Sequence, residues 1–211
     1  MKRLFFALSV SESWVKNFLP SYKKLKINAD QKEISVKWVP TDNFHVTMTF
    51  LGDQDEKNIP DLQIALQNIC QRFAPFALKV EDMSAFSKET DARVIYLGVQ
   101  NKKYLGEIKN ALDHELQLLD DVTVPPAREY APHLTVGRLR NPRSVKDMIS
   151  PFKRKSFGKI QVDEIILYES KLQGAFPIYT PIARCKLTGS LNLQEDVDPA
   201  AIAYNDATII G

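Results

Sequence analysis

Cysteine and histidine are both scarce in this chain: two and three, respectively, in 211 residues. Cys70 and Cys185 stand far apart and form no CxxC or Cys/His pattern. That spacing gives no support for a zinc knuckle or a redox motif, and the two are read as buried or semi-buried thiols. No apolar run is long enough to span a membrane as a helix. The opening MKRLFFALSVSESW has two basic residues and a short apolar run. It lacks the length and the small-residue cleavage site of a secretory signal, so it reads as a buried first strand. A cytoplasmic protein with no membrane partner is expected. An excess of one charge is missing too, since the formal net charge is only +2. A phosphate-bearing partner must therefore be held by a local patch and not by a global field.

What remains is an ordinary soluble composition, with enough chain for one large domain or two small lobes. Leu4 to Val10 reads as a central strand, and Ser11 can cap a helix from about Glu12 that Pro20 would kink or interrupt. Ile34 to Val39 alternates, and Phe44 to Leu51 is a strand ending at Gly52. Asn58 with Pro60 opens a second helix. Phe76 to Met83 and Arg93 to Val99 form a strand pair across SKETD. Tyr104 to Leu119 has helical spacing, and Ser144 with Asp147 resembles a capping box for a short helix. Val162 to Tyr168 and Ile178 to Leu187 close the fold as two strands. From residue 189 the chain turns acidic and holds no lysine or arginine. The expected division is a domain over 1–188 and a mobile acidic tail over 189–211, with a docking peptide around Ile209 and Ile210 as the alternative.

Two stretches carry the same signature. FHVTMTFLG places His45 before Thr47, and APHLTVGRL places His133 before Thr135. A strand sends residues i and i+2 to one face, so each strand presents an imidazole and a hydroxyl together and buries the residues between. Two of three histidines carrying threonine at +2 would arise by chance about once in two hundred chains of this composition, when such template matches are counted. The order of elements around the two motifs also repeats loosely, which implies a duplicated α+β unit whose halves face each other across a cleft. The third histidine, His114, lies between acids on a helix and reads as a solvated face.

Two imidazoles with ordinary pKa values of about 6.5 can divide acid and base duties. Hydroxyls can donate to phosphate oxygens without adding charge. No Asp, Glu or Cys stands near either histidine at metal-ligand spacing, so no metal and no cofactor is expected. The set suits acid–base attack of water on a phosphodiester without a covalent intermediate.

The stretches RLFFALSV, WVPTDNFHVTMTFLG, RVIYLGV, YAPHLTVGRL and LYESKLQGAFPIYTPI, in this order, resemble the two-histidine phosphoesterase family. The closest resemblance is to its RNA 2′,3′-cyclic phosphodiesterase branch, also called 2′-5′ RNA ligase. The resemblance implies an α+β fold of two pseudo-symmetric lobes, with antiparallel sheets lining a central cleft and helices outside. It implies hydrolysis of an RNA 2′,3′-cyclic phosphate end to a 2′-phosphate, with 2′-5′ RNA ligation as the reverse of cleaving a 2′-5′ bond to that cyclic end; nothing in the sequence demands more than a monomer. His45 would be the proton donor and His133 the proton acceptor, with Thr47, Thr135 and Arg138 holding the phosphate. The residues alone leave acid and base unassigned.

Arg138 conflicts with simple strand parity, since it lies five positions past His133; a bulge would be needed to turn it inward. Arg93 and Arg128 can line a groove or be surface charges. Phe44, Tyr130 and Tyr179 can stack on a base or pack in the core. Lys37, Arg128, Arg138, Arg140 and Arg143 can track an RNA backbone or form a solvated rim. Two alternatives stay open: the same chemistry on a small cyclic phosphate, such as an ADP-ribose cyclic phosphate or a cyclic nucleotide, and a non-catalytic RNA-end-binding module.

Overall fold

The computed structural model describes residues 1–126, 129–174 and 176–191. The apolar N-terminal run forms β1 (Lys2–Ser9), in which every side chain from Leu4 to Leu8 is buried. Such a run suits an interior strand, and β1 lies between β3 (His45–Gln54) and β8 (Glu164–Gln173). Outside β8 runs β9 (Phe176–Lys186). A second set of four follows the same plan. Here β5 (Asp91–Val99) lies between β6 (His133–Arg143) and β4 (Phe76–Lys88), with β7 (Ser156–Val162) outside. All these ladders are antiparallel.

The two half-sheets meet at one residue pair, Val46 of β3 against Leu134 of β6. These are the buried residues between each histidine and its threonine. Beyond that point β6 takes up the two-residue strand β2 (Lys37–Trp38). A joint this narrow lets the halves fold toward each other while their main ladders stay intact. The fold is the expected α+β arrangement of two related lobes around a cleft.

The helices interlock the halves. α1 (Glu12–Gln31) follows β1 but packs on β7 of the other half, where Phe18 meets Phe157 edge-on. α3 (Lys102–Gln117) follows β5 but packs on β3, where Thr49 Oγ1 donates to Asp113 at 2.7 Å. α2 (Ile59–Cys70) covers β8 and β9, and the short α4 (Lys146–Ile149) rests on α1. Most of the buried apolar side chains form one cluster through both halves. Among the described residues no helix is long and apolar enough to cross a membrane.

Several element limits differ from the sequence reading. α1 continues without interruption past Pro20. Pro20 and Lys16, whose carbonyl loses its partner, are both exposed, so water can complete that bond. Of the 34–39 segment, Lys37 and Trp38 form the strand and Val39 N–H donates to the Val136 carbonyl, while Ile34 N–H still donates to Ala29 in closing α1. β3 continues past Gly52, a bulge residue with φ +76° opposite Leu4. α4 starts without a side-chain cap, so Ser144 and Asp147 form no capping box there. β7 was not expected. Its apolar alternation slips at Gly158 (φ +87°), and it directly follows the basic run Lys153–Lys155, which reads as a loop. Cys70 is buried, Cys185 is half-buried, and the Cys70 thiol donates to the Cys185 carbonyl at 3.3 Å.

The chain stays bonded through Leu191. Gly189 N–H donates to Phe73 O, Leu191 N–H to Arg72 O, and Ala74 N–H to Leu191 O. The rest of the expected acidic tail, 192–211, and Arg128 lie outside the described residues.

Candidate active site

The two histidines are the first residues of β3 and β6, and each ring is fixed in the same way. His45 Nδ1 lies 2.7 Å from the Asn43 carbonyl, and His133 Nδ1 lies 2.7 Å from the Ala131 carbonyl. A carbonyl can only accept, so in both neutral rings the proton sits on Nδ1 and Nε2 carries the lone pair. His45 Nε2 then accepts from the Thr47 hydroxyl at 3.1 Å. Each ring also stands between two aromatics. His45 packs against Phe5 and Tyr179, both at 5.2 Å between centroids. His133 packs against Phe86 at 4.9 Å and Tyr96 at 5.4 Å.

The bulge that Arg138 needs is present. Ile95 of β5 faces Gly137 of β6, while the next residue, Tyr96, faces Thr135. Val136 is therefore an extra residue, and both Val136 and Gly137 turn to the core. Parity flips, and Arg138 joins His133 and Thr135 in the cleft wall. Gly137 makes room for this, since a Cβ there would stand 2.7 Å from Val36 Cγ1. β3 carries the matching bulge. Phe6 faces Thr49 and Ala7 faces Thr47, so Met48 is extra and Phe50 joins His45 and Thr47 in the cleft. The offset of Phe50 from His45 equals that of Arg138 from His133. Sequence reading missed Phe50, although the shared offset was there to be seen. It also missed Phe5, Phe86 and Tyr96, whose places depend on distant strand pairing.

The cleft has a volume of about 760 Å³, and His45, Thr47, His133, Thr135 and Arg138 all line it. No carboxylate lines it among the described residues, and Lys37 is a second cation in the wall. A divalent ion would need donors beyond the two imidazoles. Among the described residues no cluster of three His, Cys, Asp or Glu side chains offers them.

This environment disfavours imidazolium. Burial lowers the His45 pKa from 6.5 to about 4; the bond to Asn43 opposes this, and the positive charges of His133 and Arg138 add to it. His133 is lowered as well, chiefly by burial and further by Arg138, against the bond to Ala131. The cleft thus holds two neutral imidazoles beside a guanidinium, an arrangement suited to an anion.

The other sequence candidates divide. Tyr179 lies in the cleft, whereas Phe44 is buried against Phe18 and Tyr22. Tyr130 lies behind β3, its hydroxyl donating to the Thr47 carbonyl at 3.3 Å. Arg143 donates to the Glu33 carbonyl, and Arg93 and Arg140 are exposed outside the cleft wall. His114 is exposed on α3.

Known proteins resemble the chain in sequence and in fold. An RNA 2′,3′-cyclic phosphodiesterase of Methanocaldococcus jannaschii is 31% identical over 183 residues, 85% of this chain and 98% of the relative. One of Methanothermobacter thermautotrophicus is 30% identical over 151 residues, 70% of this chain and 80% of the relative. The crystal structure of TT0787 of Thermus thermophilus shares the fold, with a TM-score of 0.75 and 23% identity over 90% of this chain and all of that one. The family description LigT-like phosphoesterase matches twice, over residues 19–96 and 98–179, so that each match takes in one His-x-Thr strand. The chain therefore belongs to the LigT-like phosphoesterases, the two-histidine enzymes it resembles in sequence.

Proposed function

We propose that the protein hydrolyses the 2′,3′-cyclic phosphate at the end of an RNA strand, leaving a 2′-phosphate. One observation carries this reading. Two imidazoles, each locked by a backbone carbonyl so that Nε2 carries the lone pair, share one cleft with Thr47, Thr135 and Arg138, and no carboxylate lines it among the described residues. The names of the relatives supply the substrate class.

The cyclic phosphate carries one negative charge. Arg138 and the two threonine hydroxyls bind its non-bridging oxygens. His133 Nε2 takes a proton from a water, and that water's oxygen attacks phosphorus. The bond from phosphorus to O3′ breaks as His45 gives O3′ a proton, leaving a 3′-hydroxyl and a 2′-phosphate. His45 is neutral before substrate binds, so it must gain its proton as the anion arrives. The phosphate's charge offsets Arg138 and favours imidazolium. Solvent then resets both rings. With the 5′-hydroxyl of a second strand in place of water, the same steps form a 2′-5′ bond. No step requires a metal, and a monomer contains every group used.

The test is a short RNA ending in a 2′,3′-cyclic phosphate, incubated with the protein in EDTA, with the phosphate position of the product determined. A 2′-phosphate is expected. A 3′-phosphate product would reverse the assignment of the leaving oxygen. Turnover of small cyclic phosphates but not RNA would move the reading to a small-molecule phosphodiesterase, and binding without turnover would leave an RNA-end-binding module.

A further inference from the structure

The wall beside His45 continues beyond the reacting groups. The hairpin of β8 and β9 supplies Ser170, Pro177 and Tyr179 to the cleft, and its ladder pairs Ser170 with Tyr179 and Leu172 with Pro177. Alternation along β8 puts Leu172 on the same face as Ser170. Leu172 is nevertheless 89% exposed, the highest value of any large apolar side chain among the described residues. One residue before Pro177, Phe176 also lines the cleft, with Lys37 Nζ 4.7 Å from the centre of its ring. The hairpin is fixed to the catalytic side, because Asn43 Nδ2 donates to the Pro177 carbonyl at 2.9 Å while the Asn43 carbonyl holds His45.

An exposed leucine contributes little to folding. An aromatic face, an apolar side chain and a cation together match a nucleobase and its phosphate, since bases stack on aromatic rings and lysine tracks the backbone. The cleft volume lies in the upper part of the roughly 300–1,000 Å³ range of ligand pockets, which leaves room beyond the reacting phosphate.

We propose that Leu172, Phe176 and Lys37 form a subsite for the nucleotide immediately 5′ of the one that carries the cyclic phosphate. Its base lies against Phe176 and Leu172, and the linking phosphate lies at Lys37. Stacking does not depend on base edges, so the subsite tolerates any base and selects for strand length. This inference rests on the RNA-end reading. It adds that the enzyme distinguishes a strand from a free cyclic nucleotide.

The experiment compares kcat/KM on a 2′,3′-cyclic mononucleotide with kcat/KM on a dinucleotide ending in the same cyclic phosphate. The wild-type protein is expected to favour the dinucleotide about tenfold, the scale of one stacked base. Phe176→Ala and Leu172→Ser should each shrink that ratio, and Lys37→Met should also flatten its dependence on salt. Ile64→Ser, which changes an exposed apolar residue on α2 outside the cleft, should leave the ratio alone. The proposal is overturned if the wild-type ratio is near one, or if folded Phe176→Ala and Leu172→Ser proteins keep the wild-type ratio. Turnover of neither substrate would instead overturn the RNA-end reading itself.

Discussion

The His45 half and the His133 half are built alike and charged differently. In both, a histidine opens a strand, bonds to the carbonyl two residues back at 2.7 Å, precedes a threonine on the same face, and is followed by a bulge that turns the fifth residue into the cleft. That fifth residue is Phe50 in one half and Arg138 in the other. The duplication thus copied positions while the chemistry at one of them diverged. Arginine at both would hold both rings neutral more strongly than one does. Phenylalanine at both would leave the two threonine hydroxyls without a guanidinium to anchor the phosphate. One of each gives a single guanidinium beside two proton carriers.

The strongest test of equivalence removes the shared element. Under the proposed mechanism His45→Ala and His133→Ala should each lower kcat by ~10²–10⁴, with thermal unfolding showing a folded protein. The double variant should be little worse than either single one, because groups that act as a unit do not add. Additive losses would mean the two rings work in separate steps, and the symmetry would then be architectural only.

The next test targets the difference. Arg138→Ala removes a charge-assisted contact and should cost kcat/KM roughly 10- to 150-fold, from about 1.5–3 kcal/mol for a hydrogen bond to a charged group. It should also move the pH profile. Burial and Arg138 both lower the two imidazoles, and His45 lies at about 4. The bell in kcat/KM, which reports the free enzyme, should therefore centre below pH 6.5 in the wild-type protein. Removing the guanidinium should shift it upward. A wild-type bell centred above pH 7 would show that some other group dominates the field in the cleft. Phe50→Ala, at the matching position, should leave the centre in place.

Arg138 also marks where sequence reading stopped. The paired motifs, the faces they share and the two-lobed α+β fold were legible, because period-2 alternation and a repeated order of elements need no long-range information. The need for a bulge was legible at Arg138, but its presence and place were not, since a bulge is defined by the partner strand: Val136 is extra only because Ile95 and Tyr96 face Gly137 and Thr135. Glycine after the second motif was the available clue to a close approach, and it is where Val36 and Trp38 crowd the backbone. The aromatic walls around the histidines were hidden for the same reason. Phe86 and Tyr96 reach His133 from β4 and β5, through pairings that no local pattern encodes.

The smallest expected effect separates the two threonines. Thr47 and Thr135 occupy matching positions, and Thr→Val at either removes one hydroxyl with little change of shape. Loss of one neutral hydrogen bond to phosphate is worth about 0.5–1.5 kcal/mol, or roughly 2- to 12-fold in kcat/KM. The Thr47 hydroxyl has a further role before substrate binds, when it donates to His45 Nε2. That bond favours the neutral ring and must break before Nε2 can carry the proton meant for O3′. Thr47→Val therefore loses a phosphate contact but also frees the acid, and its net cost in kcat should be the smaller of the two. Parallel kcat and KM measurements on both variants decide this. Equal losses in kcat would mean that the bond to His45 has already given way when substrate is bound. A larger loss for Thr47→Val would mean that its hydroxyl orients His45 during proton transfer.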